Sequence, residues 1–167
     1  MYEPKLIIDK IRDFIMDIRE RSRIDGLEHG STICLSPSGD ILLTPELLSE
    51  RDHGLLAPCP INTKQLGFVH THPVGHYELS DVDITSGLIH DLEFVCVTTP
   101  DTDKVKCIVF NTEHPEFREF KDKYLTLYDK IMNYPNIFSI RDAVIKISEL
   151  WKQAKEKNII EELELEL

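Results

Sequence analysis

The segment Gln65-Leu66-Gly67-Phe68-Val69-His70-Thr71-His72 constrains this chain more than any other. Its alternation suits an extended strand, with Leu66, Phe68, His70 and His72 on one face and Gly67, Val69 and Thr71 on the other. Pro73 ends the strand, because it has no N–H to donate to a ladder. Residues i and i+2 of a strand point the same way, so both imidazoles can reach one metal ion.

The elements around this strand alternate between helix and strand, which predicts an α/β fold. Residues 4 to about 22 read as a helix: Pro4 suits the first turn, and Ile7, Ile11, Phe14, Ile15 and Ile18 recur at helical spacing. Arg19, Arg21 and Arg23 gather at its far end, where cations favour the helix dipole, and Asp25-Gly26 stops it. Strands are predicted at 31–36 and 41–44 around a Pro37-Ser38-Gly39-Asp40 turn, and again at 93–98 and 105–110. Between them, 80 to about 91 reads as a helix.

From His114 onward the chain reads as helical. Phe117, Phe120, Tyr124, Leu127 and Ile131 form one stripe, which Pro135-Asn136 interrupts. Ile137, Ile140, Val144, Ile147, Trp151 and Ala154 then step by three and four, a narrow heptad seam. The seam predicts a helix packed on its own domain, with a homodimer contact through the C-terminal helices as the alternative. The division expected is a core over 1–112 and a helical extension over 113–167 packed on the same domain. The closing Leu163-Glu164-Leu165-Glu166-Leu167 alternates like a strand but is expected to be a frayed tail.

Charge narrows the function. With 19 Lys+Arg against 30 Asp+Glu the net charge is −11, which argues against binding nucleic-acid phosphates or anionic lipid. No apolar run nears the roughly 20 residues that span a bilayer. Asp9, Lys10, Arg12 and Asp13 interrupt any signal-peptide pattern, so a cytoplasmic protein is expected. Cys34, Cys59, Cys96 and Cys107 form no CxxC pair, and three of them lie among apolar neighbours. They are expected to be small core residues rather than a redox or zinc-knuckle set, with a disulfide possible but unsupported.

The candidate site is His70-Thr71-His72-Pro73 followed by Ser80 and Asp83. Two histidines and an aspartate supply three zinc ligands and leave a fourth position for water, the pattern of a catalytic site rather than a closed structural one. An HxH pair alone is weak, since 7 histidines in 167 residues produce one by chance in roughly a third of such chains. Pro, Ser and Asp at the following offsets make the combination specific. Ser80-x-x-Asp83 also resembles a helix capping box, and the two roles are compatible, because the cap fixes where Asp83 points. His76 reads as a loop bystander, and His29, His53, His90 and His114 lack ligand spacing. Residue types leave the general base open among Glu28, Glu46, Glu50 and Glu78.

These residues resemble the signature of the JAMM (MPN+) metalloproteases, HxHP-x(6)-SxxD, over roughly residues 5–112. The family adds a glutamate some forty residues upstream that opens the first strand, and Glu28, 42 residues before His70, fits it. The resemblance implies an MPN-type, cytidine-deaminase-like mixed sheet flanked by helices. It implies Zn2+ on His70, His72 and Asp83, Glu28 as the proton carrier and Ser80 as an oxyanion donor. Thr71 stands where Ser is commoner, and Glu78 stands where the proteasome-lid enzyme has an aromatic residue. The short stretch from Glu28 to His70 leaves no room for the large substrate-binding insertion of eukaryotic members, so the chain is similar to the minimal prokaryotic form.

The implied activity is hydrolysis of the amide after the C-terminal glycines of a ubiquitin-like protein, freeing it from a lysine or a linear fusion. Processing of a sulfur-carrier protein is one variant of that reading. A catalytically silent MPN scaffold for complex assembly is the competing class. Zinc hydrolysis of a small molecule is disfavoured, because the combined H-x-E…P-C-x-x-C signature of the deaminases is absent, the four cysteines forming no CxxC pair.

Overall fold

The computed structural model describes residues 3–45, 47–49, 57–133 and 136–167, with backbone alone at 47–49. Glu46, Glu50, His53 and Pro135 lie outside the described residues. Two compact units are present, one of 1–109 with 162–167 and one of 110–161.

The first unit opens with α1 (Pro4–Lys10) and α2 (Arg12–Asp25). The single helix expected here is broken at Ile11, whose backbone leaves the helical region (φ −105°, ψ 15°) while its amide bonds the carbonyls of Ile7 and Ile8 at 3.2 Å. Gly26 ends α2 in the left-handed region (φ 72°), where a side chain would be strained, and its amide satisfies the Ser22 carbonyl at 2.8 Å. Ile7, Ile8, Ile15 and Ile18 are buried on the face this spacing creates.

Strands β1 (Glu28–Leu35), β2 (Ile41–Leu43), β3 (Leu47–Ser49), β4 (Lys64–Thr71), β5 (Phe94–Thr98), β6 (Lys104–Phe110) and β7 (Ile160–Glu166) form one sheet in the order β2-β1-β4-β5-β6-β7. The short β3 pairs with β1 beside β2's place on the same edge. The β1–β2, β1–β3, β1–β4 and β5–β6 pairings are antiparallel, whereas β4–β5 is parallel, and helix α3 (Asp81–Ile89) makes the crossover that a parallel pair requires. The sheet is therefore mixed and the fold α/β, as expected. Helix α2 packs on β1 and β4, and α3 on β5.

The register of β1 and β4 slips between Ile33 and Cys34, which pair with Gly67 and Gln65. Leu66 is the extra residue of this bulge. It therefore leaves the Phe68–His70–His72 face assigned to it from alternation and joins Ile33, Val69, Phe94, Ile8 and Ile15 in the core. Gly67 makes room there, since a Cβ would sit 2.5 Å from the Phe94 ring.

Two further readings change. Cys34, Cys96 and Cys107 are buried as expected, but the disulfides that nothing in the sequence supported are present: Cys34 pairs with Cys59, and Cys96 with Cys107 directly across β5 and β6. Cys59 lies 25 residues from its partner in an irregular stretch, where neighbouring residue types could not signal it. The Leu-Glu tail does not fray. As β7 it sets Leu163, Leu165 and Leu167 against the core, and the Leu167 amide bonds the Asp103 carbonyl at 2.9 Å.

The second unit is the antiparallel hairpin of α4 (Phe117–Asn133) and α5 (Ile137–Glu156). Asn136 caps α5, its side chain accepting from the Phe138 amide at 2.9 Å. Phe120 and Tyr124 pack on Trp151, with ring centroids 6.2 and 5.9 Å apart. The heptad seam is only partly inward: Ala154 is buried and Trp151 half-buried, whereas Ile137 and Val144 are exposed and Ala143 takes the inner position.

Candidate metal centre

The site lies where β4 runs out. His70 is held in the sheet, opposite Gly30 of β1 and Val97 of β5. His72 follows the last ladder residue, and its amide still bonds the Thr98 carbonyl at 2.9 Å. Gly30 permits the close approach of β1: a Cβ there would lie 2.7 Å from the Val69 carbonyl oxygen and 2.8 Å from the His70 Cβ. Thr71 fixes the same strands from the other side, its hydroxyl accepting from the His29 amide at 2.9 Å.

Asp83 arrives from α3. Ser80 is the N-cap, its side chain accepting from the Asp83 amide at 3.1 Å while its own amide donates to Asp83 Oδ2 at 2.8 Å. This reciprocal box holds the carboxylate at the helix mouth, where the dipole favours negative charge. His70 Nε2 lies 2.9 Å from His72 Nε2 and 3.1 Å from Asp83 Oδ1, and His72 Nε2 lies 3.3 Å from Asp83 Oδ2. All three side chains are buried.

The donor set fits a metal ion. Two ring nitrogens and a carboxylate oxygen converge on one point, and no protonation state of three such groups lets every close pair form a good hydrogen bond. A cation among them removes the conflict. His72 Nδ1 lies 3.0 Å from the His76 carbonyl oxygen, which can only accept, so Nδ1 carries the proton and Nε2 is left to face the site. His70 Nδ1 is buried without a hydrogen-bond partner in the structure. Burial lowers the pKa of His72, but Asp83, the His76 carbonyl and Glu28 outweigh it, and the net shift is upward. Burial likewise opposes the charge on Asp83, yet His70, His72 and the Ser80 amide hold its pKa well below the ordinary carboxylate range.

Of the glutamates left open by sequence, Glu28 begins β1 with its Oε1 4.0 Å from His72 Nε2. Asp25 steadies this entry into the strand, because its carboxylate lies 2.8 and 3.0 Å from His29 Nε2 and accepts from the Leu27 amide. Glu78 is exposed and engaged at 2.7 Å by Lys106.

His76, set aside as a bystander, contributes through its carbonyl rather than its ring. Lys106 was missed altogether, because its position on a strand two neighbours from β4 gives no sequence cue. No helix among the described residues is long and apolar enough to cross a membrane. Comparison with protein-family models, with curated proteins and with solved structures gave no match.

Proposed function

We propose that the chain is a zinc-dependent isopeptidase of the JAMM type, cleaving the amide that follows the C-terminal glycines of a ubiquitin-like protein. The observation that carries the reading is the buried convergence of His70, His72 and Asp83, with the Glu28 carboxylate 4.0 Å from His72 Nε2. His70, His72 and Asp83 would hold the ion. Bound zinc supplies Lewis acidity, polarising the amide carbonyl and acidifying water.

The chain's own residues do the rest. Glu28 takes a proton from the attacking water and returns it to the leaving amine, a transfer suited to a half-buried carboxylate at the lip of the site. Ser80 Oγ already accepts from the Asp83 amide, so its hydroxyl proton remains available to a developing oxyanion. An extended glycine tail is the kind of segment that binds by adding as a strand to a sheet edge.

The test is cleavage of a linear fusion and of a lysine conjugate of a ubiquitin-like protein by the zinc-loaded protein. Cleavage after the last glycine by the native chain, lost in a Glu28→Gln variant that still holds zinc, is expected. Intact substrates in the presence of bound zinc would turn the reading to the silent MPN scaffold.

A further inference from the structure

We infer that Lys106 is a positioning residue for the metal centre, acting through the Pro73–Leu79 loop and the His76 carbonyl. The inference rests on the reading of His70, His72 and Asp83 as metal ligands, but not on any particular reaction.

Lys106 projects from β6 and makes three contacts with one short stretch of loop. Its Nζ donates to the Tyr77 carbonyl at 3.1 Å and to Glu78 Oε1 at 2.7 Å, and it lies 4.6 Å from the centre of the Tyr77 ring. The Tyr77 hydroxyl is buried, and burial together with Glu164 of β7 pushes its pKa up, so the ring stays a neutral platform for the cation. The loop itself is a tight turn. Gly75 sits at φ 86°, the His76 amide bonds the Pro73 carbonyl at 3.0 Å, and the Glu78 amide bonds the His76 carbonyl at 2.8 Å. That same His76 carbonyl accepts from His72 Nδ1.

The path is therefore continuous: Lys106 holds residues 77 and 78, these fix the His76 carbonyl, and the carbonyl fixes the ring of a ligand. Pro73, Val74, Gly75 and His76 are exposed, so little else packs this turn down. Partners that orient a ligand typically change metal affinity by about 10–100-fold when removed.

Electrostatics alone predicts the opposite sign. Removing a nearby positive charge should strengthen the binding of a dication, whereas losing the anchor should weaken it. The experiment compares Lys106→Met, Lys106→Arg and Lys104→Met with the native chain. Lys104 is a comparison from the same strand, since it pairs with Glu164 at 3.4 Å and reaches the loop indirectly, through the interaction of Glu164 with Tyr77.

Zinc affinity is read by chelator competition, and solvent exchange of the His72 Nδ1 proton is read by NMR on metal-free protein. Lys106→Met is expected to bind zinc about 10–100-fold more weakly and to exchange that proton faster. Lys106→Arg should recover part of both, and Lys104→Met should change both far less than Lys106→Met. Unchanged or tighter zinc binding by Lys106→Met would overturn the inference, as would an equal loss in Lys104→Met. If the native chain takes up no zinc, the metal reading fails by itself, and the exchange rate still decides whether Lys106 anchors the loop that holds His72.

Discussion

At the scale of single residues, the centre combines groups whose contributions separate by experiment. Asp83 is the third member of the proposed ligand set, and two histidines alone hold zinc poorly. Asp83→Ala should therefore purify with much less than the native zinc content by elemental analysis; full occupancy would remove Asp83 from the ligand set. Ser80 caps α3 and is proposed as an oxyanion donor, and its alanine variant distinguishes the two roles. Loss of the cap costs about 1 kcal/mol of stability, whereas loss of an oxyanion donor slows hydrolysis by roughly 10²–10³. A destabilised variant with native turnover would leave Ser80 as a cap only. The convergence of His70, His72 and Asp83 was legible because strand parity and the fixed His72-to-Ser80-to-Asp83 spacing are local properties. Lys106 and the His76 carbonyl were not, since the contact between residues 106 and 78 spans 28 positions and a backbone oxygen carries no residue-type signal.

At the scale of elements, the approach of β1 to β4 decides whether Glu28 reaches the site. Gly30→Ala would force a methyl group against the Val69 carbonyl and the His70 Cβ. Overpacking of this kind costs about 1–3 kcal/mol, and both stability in urea and zinc affinity should fall together. Stability within about 0.5 kcal/mol of native would show that the strands part without strain. Strand positions were readable from alternation, yet Leu66 was assigned to the wrong face because a bulge inverts parity without marking the sequence. The four cysteines hid their pairing for a related reason: Cys96 and Cys107 meet only through the β5–β6 register. Denatured protein prepared without reductant should titrate with no free thiol, and four thiols per chain would refute both bridges. β7 also had a strand's alternation, but only the Asp103 and core contacts show that the sheet has a place for it.

At the scale of the whole molecule, the proposed metal would compete with protons for one centre. The folded pKa of His72 is raised, so its stabilising charge is fully present below the unfolded value of about 6.5 and fades as the pH rises through the folded one. Asp83 is depressed, so its contribution persists well into acid and is lost only as the pH falls through its low folded value. Metal requires the neutral ring, which reverses the His72 effect. The gain in Tm on adding zinc should therefore widen from pH 6 to pH 8, and a gain independent of pH would contradict ligation by His72. Charge is divided as unevenly as structure: residues 110–161 hold nine Lys+Arg and nine Asp+Glu, so the net −11 falls on the unit that contains the centre. The β7 strand has a topological consequence. Asn111 bonds Ile159 at one end of the β6–β7 pair and Leu167 bonds Asp103 at the other, so the two strands run antiparallel as neighbours. The helical hairpin is thus spliced between partners that a two-residue turn could join. A change in the length of such an insert leaves the threading of the sheet that carries His70 and His72 as it is.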